Sequence, residues 1–332
     1  MGEIRIVQIG MGPLGRKITR YILEKKNLKI VGAVDKDPSL IGKDVGTLCS
    51  IPEFHVTVTD SLQNVIKSNK PDVVILTTVS EIEKIAPQIE EIAASGLHIV
   101  TTCEELAYPW QTAPTLAKRI DEVMKKNNVA VLSTGVNPGF LMDFLPIAVS
   151  AICRKINRIK VSRIQNAAFR RIPFQKKIGA GLSLPEFETK KQKGTLRHVG
   201  LTESIHMIAC RMGWEVDKTE DILTPVVAKE KIETENMIIK PGFAAGVQQI
   251  GKGYENCVER ITLIFRASIG EQASEDTIEI SGEPDIVSTI KGGVNGDIAT
   301  CAIVTNAVKQ IVNAETGLRT MIDLPVISYF SG

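Results

Sequence analysis

Apolar and polar residues follow two different rhythms along this chain. Up to about residue 135, short apolar runs alternate with amphipathic stretches. The runs at 4–9, 29–34, 55–58, 72–77, 98–101 and 129–132 predict buried strands. The stretches at 14–25, 61–68, 81–94 and 111–126 predict the helices between them. Strand and helix in alternation imply βαβ units and a parallel sheet. Pro71-Asp72 marks the entry to one buried strand, and Ala93 to His98 reads as a helix end, a glycine cap and the next strand. After Pro146 the rhythm changes to period two. Ile156–Ile164, Glu233–Ile239, Val258–Ala267 and Asp276–Ser281 alternate, which predicts a mainly antiparallel sheet with one buried face. A helix at about 200–213 interrupts them, and Gly296–Val312 reads as a helix rich in small residues. The Lys190–Lys193 cluster reads as a solvated loop.

The first strand runs into a glycine pattern. Gly10, Gly12 and Gly15 fit G-x-G-x-x-G at a strand-to-helix turn, in the sequence Gly10, Met11, Gly12, Pro13, Leu14, Gly15. The first glycine permits the tight turn, the second lets a pyrophosphate approach the backbone, and the third lets helix and strand pack closely. The helix start adds unpaired N–H groups and a positive dipole end. A second strand ends in Asp35, about 20 residues further on, where a carboxylate can accept both ribose hydroxyls of an adenosine. The fold class is therefore α/β: an N-terminal Rossmann dinucleotide-binding domain over 1–146, then an α+β substrate and dimerisation domain over 147–294. Residues 295–332 are expected to pack back on the first domain.

Ligands of such sheets bind beyond the carboxyl ends of the strands. Four ends matter here: the glycine loop, Leu76–Ser80, Thr101–Pro109 and Ser133–Phe140. Thr77 and Thr78, with Thr102 and Cys103, are expected to line the cofactor. Glu104 and Glu105 follow the fifth strand, so at most one points into the cleft. Such a carboxylate can act as a general base beside a nicotinamide ring, or can simply be an acid favoured at a helix start. Asn137-Pro138-Gly139 presents an amide on a rigid turn, fit to hold a carboxamide or equally to make an Asx-Pro turn. Trp110, Phe140 and Phe144 are candidates for an apolar pocket wall. In the second domain Arg163, Asn166, Arg170 and Arg171 follow a strand. An arginine fork suits a substrate carboxylate, but surface placement is the plainer reading. His198 is a candidate substrate or cofactor contact, and His206 reads as core.

Composition closes off other classes. The 332 residues are 43% hydrophobic and 23% charged, with net charge +2, so no electrostatic case exists for nucleic acid or an anionic membrane. Six cysteines and four histidines are scattered without ligand spacing, so no metal is expected and the thiols read as reduced in a cytoplasm. The chain enters a strand almost at once, so no signal peptide is expected, and no apolar run is long enough to span a bilayer.

GMGPLGRKI, AVDKDP, TTCEELAYPW, STGVNPGFLMDFLP, RHVGLTES, GGVNGDIATCAIVTNA and GLRTMIDLP, in this order and spacing, resemble one family nearly end to end. It is the family of 2,4-diaminopentanoate dehydrogenases and the native amine dehydrogenases grouped with them. The wider fold resembles dihydrodipicolinate reductase, but the stretch from Arg163 to Ser183 lacks that enzyme's His-His pair. Homoserine dehydrogenases share the layout with a lysine where this chain has Cys-Glu-Glu. The resemblance implies oxidative deamination of 2,4-diaminopentanoate at its 4-amino carbon, with NAD or NADP as cofactor. It assigns the catalytic carboxylate to Glu104; the 2-amino and carboxylate groups must then be held elsewhere, and Arg163, Asn166 and His198 are the candidates for that role. Asp35 favours NAD, whereas the adjacent Lys36 is able to pair with a 2′-phosphate. Two rivals are a reductase of the dihydrodipicolinate or homoserine type and a non-enzymatic NAD(P) sensor; the nearest alternative is a broader amine dehydrogenase. A homodimer built through the second domain's sheet is expected, as in related reductases.

Overall fold

The computed structural model describes all residues except 1, 171, 197, 236 and 332, and for Phe169 and Pro173 the backbone alone. Its strands are β1 (Ile4–Ile9), β2 (Leu28–Val34), β3 (Val58–Thr59), β4 (Val73–Leu76), β5 (His98–Thr101), β6 (Ala130–Ser133), β7 (Lys155–Asn166), β8 (Lys218–Val227), β9 (Ile232–Thr234), β10 (Met237–Ile239), β11 (Ala244–Glu255), β12 (Val258–Ser268), β13 (Glu275–Glu283), β14 (Ile286–Lys291) and β15 (Gly317–Arg319). Its helices are α1 (Pro13–Leu23), α2 (Val45–Leu48), α3 (Leu62–Asn69), α4 (Ile82–Ala93), α5 (Pro114–Lys126), α6 (Phe144–Val149), α7 (Ile172–Lys177), α8 (Leu184–Gln192), α9 (Leu201–Met212) and α10 (Gly296–Ile311). Two compact units result: 1–140 with 295–332, and 141–294.

The first unit holds a seven-stranded sheet in the order β15-β6-β5-β4-β1-β2-β3, parallel throughout. β4 (VVIL) is buried at every position, as expected of a strand covered on both faces. The strand order reverses between β4 and β1, which opens the crevice where such sheets bind ligands. α4, α5, β4 and β5 share one core cluster that includes Ile85, Ile89, Leu106 and Ile120. α10 lies against α1 and β5, burying Cys301, Val304, Ala307 and Val308. The strand expected at 55–58 is reduced to Val58–Thr59, because Thr57 bridges back to Asp44 and His55 has φ +59°.

The second unit is built on a six-stranded sheet, β14-β13-β7-β12-β11-β8. β7 and β12 run parallel, so the sheet is mixed, not simply antiparallel. Here α9 packs on β11 and β12, and glycines on β11 allow the approach. A Cβ at Gly253 would sit 2.7 Å from the Ile205 side chain. The long strand expected at Glu233–Ile239 is instead a hairpin of β9 and β10. Thr234 folds the chain back, its hydroxyl accepting from the Met237 N–H and donating to the Met237 carbonyl. The lysine cluster is no loop: Ser183 and Glu186 form a capping box that starts α8, and Lys190 and Lys191 lie in its last turn, where cations suit the dipole. Among the described residues no helix is long and apolar enough to cross a membrane.

Candidate active site

The glycine turn is built as its spacing requires. Gly10 has φ +91°, and a Cβ there would meet the Thr77 carbonyl oxygen at 2.6 Å. A Cβ at Gly15 would lie 1.9 Å from the Gly10 carbonyl oxygen. At Gly12 a Cβ would meet nothing within 4 Å. Gly12 is also the N-cap of α1, has no side chain to satisfy the helix N–H groups, and lines a cavity of about 820 Å³. That open cradle at a helix start suits a pyrophosphate.

The cavity lies over the carboxyl ends of β1, β2 and β4, with Ile9, Gly10, Val34, Asp35, Leu76 and Thr77 on its wall. The Asp35 carboxylate accepts the Met11 N–H at 2.5 Å and the Asp37 N–H at 2.9 Å, which fixes it at the end of β2. Lys36 donates to the Asp60 carbonyl at 2.8 Å. Thr77 lines the cavity, but its hydroxyl donates to the Gly10 carbonyl and accepts from Gln8, so it braces the turn. Thr78 donates to Gln88.

Several expected cofactor contacts face elsewhere. Met11 is fully buried with Ala33, Val45 and Val58. Pro13 and Leu14 do not line the cavity; Pro13 starts α1, where its missing N–H costs nothing. The Cys103 thiol is buried, donates to the Ser80 carbonyl, and has its pKa pushed up by that burial. Thr102 donates its N–H to the Leu76 carbonyl and does not line the cavity.

Beyond β5 the two adjacent glutamates separate. Glu105 accepts the Ile82 N–H at 2.9 Å, supplying the start of α4 with the cap that its own N-cap residue does not provide. Glu104 is half-buried, and among the described residues no side-chain partner holds its carboxylate. After β6, Ser133 donates to the Cys103 carbonyl at 2.6 Å, joining this loop to the glutamate loop. The Val136 N–H donates to Thr300 of α10 at 3.2 Å. The Asn137–Pro138 bond is cis, Gly139 has φ +120°, and the Asn137 Nδ2 is buried without a hydrogen-bond partner. Phe140 is half-buried, and Trp110 is partly buried and packs on the sheet's core cluster.

In the second unit the proposed carboxylate clamps are otherwise engaged. Arg163 is 2% exposed, donates to the Val294 carbonyl at 2.9 Å and lies 3.5 Å from Asp276. Burial raises the Asp276 carboxyl above its ordinary range, against the pull of the Arg163 charge. Asn166 donates to the Glu271 carbonyl at 2.7 Å and accepts the Ala168 N–H, so it is a turn cap. The Arg170 guanidinium stacks 4.2 Å from the Phe174 ring and donates to Gln165; Arg171 lies outside the described residues. His198 packs on Phe265 with ring centroids 4.5 Å apart, while Gln249 bonds both its backbone N–H and carbonyl. Burial, with Lys177 and Arg163 adding to it, pushes its imidazole down to about 3, so it is neutral at physiological pH. Its Nδ1 has no partner. Phe144 opens α6 and is half-buried.

Comparison with known proteins now adds a name to this geometry. The family model of the 2,4-diaminopentanoate dehydrogenase C-terminal domain matches residues 140–332, and that of the dihydrodipicolinate reductase N-terminus matches residues 4–103. A 2,4-diaminopentanoate dehydrogenase of Acetoanaerobium sticklandii is 32% identical over 335 residues, covering 98% of this chain and 94% of that protein. The chain belongs to the 2,4-diaminopentanoate dehydrogenase family. Membership makes it a dehydrogenase. An amine dehydrogenase of Streptomyces virginiae is 22% identical over 97% of the chain and 96% of that protein. The solved structure of an amine dehydrogenase from Mycobacterium smegmatis superposes with a TM-score of 0.86 at 20% identity, covering 99% of this chain and 98% of that one. A dihydrodipicolinate reductase from Paenisporosarcina sp. TG-14 superposes at 0.51 with 13% identity, covering 96% and 97%. At such identities the structures speak for the fold.

Within this family member, sequence reasoning missed the far wall of the cavity: Asp60, Ser61 and Leu62 after β3, and Gln88, Glu91 and Ile92 on α4. Ser61 carried a signal, because it caps α3. It also missed Asp276, which stands opposite Arg163 on neighbouring strands. Glu105→Ala is expected to cost about 1 kcal/mol of stability, as cap removal does, with kcat little changed. Denaturant unfolding beside steady-state kinetics checks this; a loss of turnover without a loss of stability would give Glu105 the chemistry instead.

Proposed function

We propose that this chain catalyses the reversible oxidative deamination of 2,4-diaminopentanoate to 2-amino-4-oxopentanoate and ammonia, using NAD(P). The observation that carries the reading is the division of labour after β5: Glu105 caps a helix while the neighbouring Glu104 carboxylate is left for chemistry. The near full-length match to a named 2,4-diaminopentanoate dehydrogenase supports the substrate.

The bound nicotinamide supplies the hydride acceptor. The glycine turn and α1 start would hold its pyrophosphate, Asp35 its adenosine ribose, and the Asn137 amide its carboxamide. Loss of hydride from the C4 carbon converts the substrate amine to an iminium. Glu104 takes a proton from water as that water adds to the iminium carbon. Its negative charge also stabilises the cation before water arrives. Collapse of the adduct releases ammonia and leaves the ketone. In reverse, the same carboxylate returns the proton during reductive amination.

The expected result is formation of reduced nicotinamide, followed by its absorbance, when 2,4-diaminopentanoate and an oxidised cofactor are supplied together. Turnover with simple amines alone would replace the diamino acid by a broader amine substrate. No turnover with either would sink the deaminase reading. We also read the second unit's sheet face as a homodimer surface. Its row Ile222, Ile250, Ile264 is partly exposed and flanked by the pairs Lys160–Glu279 and Lys252–Glu259. A monomer mass in sedimentation equilibrium would remove that reading.

A further inference from the structure

Glu104 stands on a loop that both neighbouring strands hold. In sheet order β5 lies between β4 and β6, and the loop after it is tied to the segment after each. Cys103, the residue before Glu104, is fully buried, and its N–H, thiol and carbonyl are all engaged. Its N–H donates to the Thr101 hydroxyl at 3.3 Å, and that hydroxyl donates onward to the Leu76 carbonyl at the end of β4. Its thiol donates to the Ser80 carbonyl at 3.1 Å, and burial keeps the thiol protonated and therefore a donor. Its carbonyl accepts the Ser133 hydroxyl at 2.6 Å, from the end of β6. On the far side of Glu104, the Glu105 N–H donates to the same Ser80 carbonyl at 3.2 Å, and Leu106 is buried in the core cluster. Glu104–Leu106 form a single 3-10 turn. Ser133 is 2% exposed and gives its hydroxyl to the backbone, not to solvent.

We propose that Ser133 and Cys103 are positioning residues for amine oxidation: together they fix the backbone from which the Glu104 carboxylate projects. This rests on the deaminase reading above, in which Glu104 takes a proton from water. A carboxylate in that role must stand about 2.6–3.2 Å from the attacking water. Displacing a reacting group by about 1 Å costs about 100-fold in rate. A glutamate side chain has several torsions to search, so its aim is only as exact as the Cα that carries it. With no side-chain partner for Glu104 among the described residues, that aim comes from the main chain. Removing the Ser133 hydroxyl leaves the Cys103 carbonyl with the Leu106 N–H at 3.1 Å, so no buried group is orphaned. What is lost is the tie from the glutamate loop to β6.

The test is a double-variant cycle on the whole chain, with 2,4-diaminopentanoate and oxidised cofactor supplied together and thermal unfolding measured beside it. Ser133→Ala is expected to lower kcat about tenfold, with KM for the amine and Kd for NADH each within about twofold, since the carboxylate acts in the transition state and not in binding. In a Glu104→Gln background, adding Ser133→Ala should lower the single-turnover rate by less than about twofold, because no carboxylate is left to aim. A merely structural serine would lower the rate by the same factor in both backgrounds, and that result overturns the proposal. So does a Ser133→Ala enzyme with wild-type kcat. Should Ser133→Ala fail to fold, Cys103 decides the matter. Cys103→Ala removes the donor to Ser80 and should lower kcat about tenfold, whereas Cys103→Ser keeps a donor and should recover most of that loss. Equal rates in the two Cys103 variants would overturn the proposal. Failure of the deaminase reading looks different: a wild type without turnover, or a Glu104→Gln enzyme with wild-type kcat, overturns that reading and this proposal with it.

Discussion

Glu104→Gln is expected to lower kcat for amine oxidation by about 100- to 10,000-fold, the range in which a positioned acid–base group contributes. The amide keeps the size and shape of the carboxylate but takes no proton from water and carries no charge to stabilise an iminium. The dissociation constant for NADH should be unchanged, because Glu104 follows β5 and does not line the cavity over the carboxyl ends of β1, β2 and β4. The matched control is Glu105→Gln, one residue away, which should keep its turnover. A Glu104→Gln enzyme with kcat within a few fold of wild type would remove this residue from the mechanism. Equal losses in both variants would mean that the loop as a whole, not one carboxylate, had been disturbed.

The second large effect separates two glycines of one motif. Gly15→Ala places a Cβ 1.9 Å from a backbone oxygen and 2.9 Å from the Thr77 hydroxyl oxygen, and neither can yield without moving α1 off β1. About 3 kcal/mol of stability should be lost, at the upper end for overpacking. Gly12→Ala meets open space, and its φ of −66° suits any L-residue, so the fold should lose no more than about 1 kcal/mol, the cost of Ala at an N-cap. Its new methyl group instead enters the cradle for the pyrophosphate, so NADH affinity should fall about tenfold or more. Thermal unfolding and NADH titration of the two variants give opposite patterns if this is right. A Gly12→Ala protein that binds NADH as wild type does would show that the phosphates lie elsewhere.

What could be read from the sequence was whatever is local. The glycine turn, the strand-end acid at Asp35 and the helices of the first unit each lie within a few residues of their cause. What could not be read is where a side chain finds a distant partner. Glu104 and Glu105 are indistinguishable in the sequence, and an N–H at Ile82, 23 residues upstream, separates them. Arg163 looks like a clamp until Asp276 is brought beside it by strand pairing, 113 residues further along. Met11 sits inside a cofactor motif, yet its side chain completes an apolar cluster with Val45 and Val58. The parallel β7–β12 pair was illegible for a related reason, since period two marks a strand and says nothing of its neighbour's direction.

The first unit is discontinuous: its sheet closes on β15, which follows the whole of the second unit in the chain. On a ribosome, β6 therefore emerges with one side unpaired and stays so until residues 317–319 have been made. During that interval the four residues Ala130–Ser133, all buried in the finished protein, present a raw apolar edge of the kind that recruits other chains. Any polypeptide halted short of Gly317 lacks the strand that pairs with β6 on this side, so the edge stays bare.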